Sequence, residues 1–284
     1  MEKLLEKKTA IITGAANGVG QIIAQKFSEE GANLILADMD ESNLKKEADL
    51  IRKGGSHVEI FCGDLRQNLT IKNLLALSTK TFKNIDILVN ASRQVTISHP
   101  LDSDDIFFEE LMSQNVGVNL KLSREVAKKM IAQNVSQPDP GNAIGSIVNL
   151  SSIASHRTLP DTLAYSVSSA ALDQLTKSMA ISLAESKIRV NAVAIGSVMS
   201  SSLRAKLAKN KFVLEKISQN LLRRNAMLKG VKLIDPETIF INHDTKFGRD
   251  VVIHSNVVFG KNVIIDSSVE IKSFSHLEEC KVKS

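Results

Sequence analysis

Apolar residues follow two different rhythms along this chain, and the change falls near residue 210. Before it, short apolar runs at 9–13, 33–38, 58–63, 85–90, 146–151 and 189–194 lack strict alternation, as in strands covered on both faces. Amphipathic stretches at 18–30, 41–53, 70–82 and 116–133 lie between them. Strand–helix alternation of this kind predicts right-handed crossovers and a doubly wound parallel α/β sheet.

After the change the period is six: Phe247, Ile253, Phe259, Ile265, Ile271 and Leu277, with Val251, Val257, Val263 and Val269 at the alternate inward place. Asn, Asp, Ser and Gly occupy the corners. Each hexad predicts one short flat strand and one turn, and three hexads make a coil of a parallel β-helix. An antiparallel meander of similar spacing is the competing arrangement. Residues 212–228 predict an amphipathic helix capped by Gly230, and Ile234-Asp235-Pro236-Glu237 breaks that pattern. The expected organisation is a domain over 1–210, a linker helix and turn over 211–238, and the repeat over 239–284. About two coils are short of the three repeats and cap that such stacks normally need, so marginal stability is expected of the tail.

A chain of 284 residues accommodates one large domain and a small second one. No apolar run is long enough to cross a bilayer, and the charged start Met1-Glu2-Lys3-Leu4-Leu5-Glu6-Lys7-Lys8 is unlike a signal peptide. Cys62 and Cys280 lie far apart and suggest no disulfide framework, so a reducing cytoplasm is the expected setting. The net charge of +5 is scattered. Its densest cluster, Leu222-Arg223-Arg224-Asn225, reads as a solvated helix face, and one Tyr with no Trp leaves no stacking platform for bases. The expected partner is a small-molecule substrate, with neither nucleic acid nor membrane; self-association into a homo-oligomer is compatible with the sequence.

The first strand runs into Thr13-Gly14-Ala15-Ala16-Asn17-Gly18-Val19-Gly20, which opens a helix. Glycines let backbone approach a pyrophosphate, and the helix N-terminus offers free N–H groups and a positive dipole end. The second strand ends at Asp38, about twenty residues on, where a carboxylate accepts both ribose hydroxyls of an adenosine and repels a 2′-phosphate. NAD is therefore expected over NADP.

With these motifs the chain resembles a classical short-chain dehydrogenase/reductase over about residues 5–205, which implies a Rossmann-like fold. The loop has the family's Thr-Gly-x-x-x-Gly-x-Gly spacing, from Thr13 and Gly14 through Asn17, Gly18, Val19 and Gly20. Cys62-Gly63-Asp64-Leu65 resembles the segment whose Asp caps the adenine ring. Ile87-Leu88-Val89-Asn90-Ala91-Ser92-Arg93 resembles the segment after the fourth strand, with Asn90 and Ala91 against the cofactor. Val148-Asn149-Leu150-Ser151-Ser152 and Ile188-Arg189-Val190-Asn191-Ala192-Val193-Ala194, followed by Gly196, match the fifth and sixth strands. The resemblance implies Ser152 as the residue polarising a carbonyl, Tyr165 as the acid/base, and Asn115 as the organiser of a proton relay, with Asn119 its rival.

Departures from the family follow. Its Tyr-x-x-x-Lys places both side chains on one helix face, and here the fifth residue is Ser169. The lysine lowers the tyrosine's proton affinity and binds the nicotinamide ribose. An unperturbed tyrosine titrates at about pH 10, and a neutral serine replaces no point charge. Lys177 lies too far along the helix to reach, while His156 and Arg157 are remote candidates for a positive field. Arg93 stands where the family has glycine and is expected to crowd the cofactor; Ile195 replaces a proline. No segment after Gly196 resembles the seventh strand, so an exposed sheet edge is expected. The specificity loop of the family maps to about 196–207.

Residues 212–284, from the run beginning Arg223-Arg224-Asn225-Ala226-Met227 through Phe274-Ser275-His276-Leu277-Glu278, resemble the middle of the bacterial bifunctional uridyltransferase/acetyltransferase that makes UDP-N-acetylglucosamine. The resemblance implies a helix and the first coils of a left-handed parallel β-helix, without either catalytic region. His243, His254 and His276 carry no role across and are expected at corners or on the surface.

Three functions compete: an oxidoreductase acting on a CH–OH or carbonyl group and impaired by Ser169, an inactive dinucleotide-binding protein or fusion remnant, and a scaffold of an acyltransferase.

Overall fold

Thr9–Thr13 (β1), three apolar residues between two threonines, is wholly buried and lies at the middle of the sheet. The computed structural model describes residues 3–96, 98, 101, 106–136, 143–158, 161–196 and 211–283. The junction near residue 210, and the specificity loop beyond Gly196, lie outside the described residues.

The chain divides into two compact units, 1–201 and 202–284. In the first, β1 is followed by α1 (Gly18–Glu29), β2 (Asn33–Asp38), α2 (Glu41–Lys53), β3 (Val58–Cys62), α3 (Asn68–Phe82) and β4 (Ile87–Asn90). Then come α4 (Ile106–Met112), a π-helical turn (Ser113–Gly117), α5 (Val118–Ser136), β5 (Gly145–Ser152), a 3-10 turn (Ile153–Ser155), α6 (Leu163–Ser182) and β6 (Ile188–Ile195). The six strands are ordered β3-β2-β1-β4-β5-β6 and pair in parallel, a Rossmann-like sheet. Alternate side chains go to opposite faces. Ile11 and Ile35 meet α3 and α5 through Leu74 and Leu122, whereas Ile12, Leu34 and Leu36 meet α1 and α2 through Ala24 and Leu44. Helices on both faces are the doubly wound arrangement that the apolar runs predict.

One local feature differs from the sequence expectation. The expected helix over 116–133 instead begins in the π-helical turn, and α4 precedes it. At the other end of the sheet, Asn191, Ala192, Val193 and Ala194 are exposed, and among the described residues β6 has no outer partner. No helix among the described residues is long and apolar enough to cross a membrane.

In the second unit, α7 (Lys211–Leu228) is followed by strands of two residues each: β7 (Lys232–Leu233), β8 (Lys246–Phe247), β9 (Val252–Ile253), β10 (Val258–Phe259), β11 (Ile264–Ile265), β12 (Glu270–Ile271), β13 (His276–Leu277) and β14 (Lys281–Val282). They form three short parallel sheets, β12-β9-β7, β14-β11-β8 and β10-β13. Parallel pairing excludes the antiparallel meander. Backbone N–H groups of Arg249 and Asn262 donate to Ser267 Oγ and Asp244 Oδ2, joining positions eighteen apart, which is three hexads. Every sixth residue, Asp250, Asn256, Asn262, Ser268 and Phe274, turns through a positive φ. Between these corners Val251, Ile253, Val257 and Val263 are fully buried in one core with Phe259 and Ile265.

Arg223 is not on a solvated face as its neighbours suggest. It is buried; its Nε donates to the carbonyl of Ile239, its Nη2 to that of Glu237, and its guanidinium lies 5.7 Å from the Phe240 ring. Arg224 is exposed. Carbonyls at the start of the repeat would otherwise lack donors, and a planar five-donor cation answers several at once.

Candidate active site

The crevice lies beyond the carboxyl ends of β1, β4 and β5, where the order of the sheet reverses and an open α/β sheet binds its ligands. Its floor is two loops clamped together. Thr13 Oγ1 accepts from the backbone N–H groups of Ala91 and Ser92, both at 3.0 Å. Gly14, at φ +65°, comes so close to Ser92 that a Cβ there would lie 2.8 Å from its backbone. A Cβ on Gly20 would collide with the Gly14 carbonyl oxygen, so the helix can start this close to the strand only with glycine. Gly18, at φ +59°, faces open space instead. Asn17 is the extended N-cap of α1 and makes no capping bond with its side chain, and Val19 stands in the first turn.

Asp38 closes β2 with both oxygens engaged: Oδ2 accepts from Ala16 N–H at 3.0 Å, Oδ1 from Met39 and Asp40. The carboxylate is thereby fixed against the glycine loop. Asp64 pairs with Arg66 at 2.8 Å, and that hydrogen-bonded guanidinium holds the carboxyl below its usual range. Leu65 is buried in the core beneath α3 and α5, so its side chain faces away from the crevice. Asn90 likewise looks inward: its amide donates to Ser123 Oγ and Asn149 Oδ1. Gly196 follows β6, half-buried.

At the other end, Tyr165 is 7 % exposed on α6 and packs on Ala154, Ala164 and Leu111. Ser152 ends β5 nearby, buried, with its Oγ accepting from Ala154 N–H at 3.1 Å. The hydroxyl of Ser169 is turned back along its own helix and donates to the Tyr165 carbonyl at 2.8 Å; Ser168 does the same at 3.0 Å. The helix face bearing the tyrosine thus offers hydroxyls and no cation. His156 lies 3.6 Å from Asp173, and Arg157 is exposed.

Asn115 sits in the π-helical turn, buried. Its Oδ1 accepts from Gln94 N–H at 2.8 Å, and its Nδ2 donates to the Gln94 carbonyl and to Ser168 Oγ. Asn119, one turn on, donates to the Asn115 carbonyl at 2.7 Å. The two candidates therefore belong to one network, with Asn115 tying the loop after β4 to α6.

Arg93 is the residue the sequence places least well. Rather than projecting across the glycine loop, its guanidinium lies 5.0 Å from the Tyr165 ring centroid and donates to the Ser151 carbonyl. Burial pushes Arg93 down to about 10, which leaves it charged at neutral pH. The only sequence signal is a pair of changes, a lysine lost at 169 and an arginine present at 93.

Comparison with known proteins covers the same region. The short chain dehydrogenase family matches residues 8–211. Oxidoreductase UcpA of Salmonella typhimurium is 35 % identical over 195 residues, covering 68 % of this chain and 70 % of that protein. Among solved structures, an NAD+-bound xylitol dehydrogenase is 29 % identical with a TM-score of 0.63, covering 68 % and 72 % of the two chains. A 7α-hydroxysteroid dehydrogenase in complex with NADH and 7-oxo glycochenodeoxycholic acid is 28 % identical with a TM-score of 0.66, covering 72 % and 76 %. By its parallel sheet, its glycine loop and these matches, the chain belongs to the short-chain dehydrogenase family of oxidoreductases.

Proposed function

We propose that the first unit is an NAD-dependent oxidoreductase acting on the CH–OH or carbonyl group of a small substrate, with turnover limited by Ser169. The observation that carries this reading is that buried Tyr165 packs on Ala154, whose N–H bonds to Ser152 Oγ, while the close-packed glycine loop and Asp38 lie at the carboxyl ends of β1 and β2 in the same sheet. The residues present fit the dinucleotide: Gly18 leaves open space at a helix N-terminus, and Asp38 is fixed where it would meet the adenosine ribose. NAD is preferred over NADP because that carboxylate would repel a 2′-phosphate. Thr13, Gly14, Asn17, Gly18, Val19, Gly20, Asp38, Asp64, Ala91 and Gly196 would border the cofactor; Leu65 and Asn90 would support from beneath. Bound nicotinamide would supply or accept hydride at its C4.

Ser152 would polarise the substrate oxygen by donating its hydroxyl proton as a hydrogen bond, and Tyr165 Oη would exchange a proton with the same oxygen. Asn115 would hold the loop at Gln94 and the helix at Ser168, keeping both walls in register. Activity of Ser169→Lys towards a panel of simple secondary alcohols and ketones tests this. We expect turnover to rise about tenfold over the parent and to fall about a hundredfold on adding Tyr165→Phe. Background activity in both would favour the second reading, an inactive dinucleotide-binding protein, which the inward-turned Ser169 hydroxyl supports.

For the second unit we propose a short left-handed parallel β-helix of hexapeptide repeats, joined to the oxidoreductase by fusion and serving as scaffold, not as acyltransferase. The eighteen-residue bridging and the positive φ at every sixth residue support it. On this reading the boundaries are 1–210, 211–238 and 239–284.

A further inference from the structure

We propose that Arg93 is a positioning residue for the acid/base, holding a positive charge against Tyr165 that favours its tyrosinate form and so supplies part of the charge absent at Ser169. The guanidinium lies 5.0 Å from the ring centroid, within reach of the ring's electrons and of the charge that spreads into them on ionisation. A cation in that place is attracted to neutral tyrosine through the quadrupole and more strongly to the anion.

The rest of the surroundings is nearly neutral. On α6, Ser168 and Ser169 bond to the helix carbonyl, and Asp173 faces His156. The end of β5 and its 3-10 turn contribute Ser151 and Ser152, and the π-helical turn contributes Gln114 and Asn115. On α4, Phe108 and Leu111 pack on the tyrosine cluster, Glu109 is exposed, and Glu110 faces Arg66. Among the described residues, no carboxylate pairs with Arg93.

Arg93 is also held there. The loop carrying it is pinned on one side by Ser92 N–H donating to Thr13 and Gln114 Nε2 donating to Ser92 Oγ. On the other side Gln94 is bonded through both backbone groups to Asn115. The Ser151 carbonyl then fixes the guanidinium itself. A half-buried cation without a carboxylate partner is costly to hold, and groups perturbed in this way concentrate at functional sites.

The proposal rests on the oxidoreductase reading for its use, but its test requires no substrate or cofactor. Tyr165 is the single tyrosine and the chain has no tryptophan, so the near-ultraviolet tyrosinate band reports this one side chain. Spectrophotometric pH titration of the full chain is compared with the same chain in urea and with Arg93→Gln and Arg93→Lys, folding being followed by circular dichroism. The native chain is expected to form tyrosinate at lower pH than the unfolded chain. Arg93→Gln is expected to weaken ionisation about tenfold, a midpoint about one pH unit higher, with Arg93→Lys largely restoring it. Equal midpoints for the native chain and Arg93→Gln overturn the proposal. Should that variant not fold, a native midpoint at or above that of the urea-unfolded chain overturns it. Inactivity of the protein towards every substrate with a lowered midpoint would remove the oxidoreductase reading and leave the Arg93–Tyr165 coupling standing.

Discussion

At the residue scale, Arg93 sets function against stability. Burial lowers its proton affinity in the fold to about 10, below that of the unfolded chain, so between the two values the folded state holds fewer protons than the unfolded one. Stability therefore rises as pH climbs through that window, and below it the cost of burying the cation is fully present. That cost is about 3 kcal/mol by the free-energy equivalent of such a shift, against about 1–2 kcal/mol returned by the ring contact and about 1.5–3 kcal/mol by the hydrogen bond to the Ser151 carbonyl. Arg93→Gln should consequently leave the stability of the first unit within about 1 kcal/mol of the parent at neutral pH, read as a nearly unchanged denaturant midpoint. A lower midpoint would mean that the guanidinium serves packing. The place of Arg93 was not legible from the sequence, because a long flexible side chain can point either way from its loop. Ser169 was legible, since a helix fixes the face on which a residue four positions on must lie.

At the element scale, the central parallel strands β1, β2 and β4 were legible because they are short apolar runs without alternation, and the repeat because burial recurs every six residues. The π-helical turn was not, since no composition marks the extra residue that places Asn115 against Gln94. The burial of Arg223 was not legible for a related reason: its partners are backbone carbonyls fourteen and sixteen residues on, which leave no trace in local polarity. Arg223→Ala should cost the second unit about 3 kcal/mol, by stranding carbonyls and emptying the space against Phe240, and should expose residues after 211 to limited proteolysis. Unchanged protection would contradict that role. The corners make a second prediction. Phe274 adopts φ +63° where its counterparts at neighbouring corners are Asp, Asn and Ser, and it is 81 % exposed. Phe274→Asn should stabilise the unit by about 1 kcal/mol, because asparagine tolerates the left-handed region and little contact is lost.

At the scale of the whole molecule, the two units carry unequal chemistry. The second has a continuous apolar core and stacked pairing, and the residues given roles all lie in the first. The first ends its described sheet on β6, with Val193 51 % exposed and no outer partner among the described residues, an arrangement that favours pairing with another chain. Val193→Lys should reduce concentration-dependent self-association in light scattering; an unchanged profile would show that the edge is protected. Whether the glycine loop and Asp38 still hold a dinucleotide bears on everything proposed for Tyr165, Ser152 and Arg93. The most direct measurement is titration of NADH and NADPH fluorescence with the folded protein. The account predicts a saturable enhancement with NADH, binding of NADPH weaker by about tenfold or more, equivalent to about 1.4 kcal/mol, and loss of both in Gly20→Val. No saturable response to NADH from folded wild-type protein would contradict it.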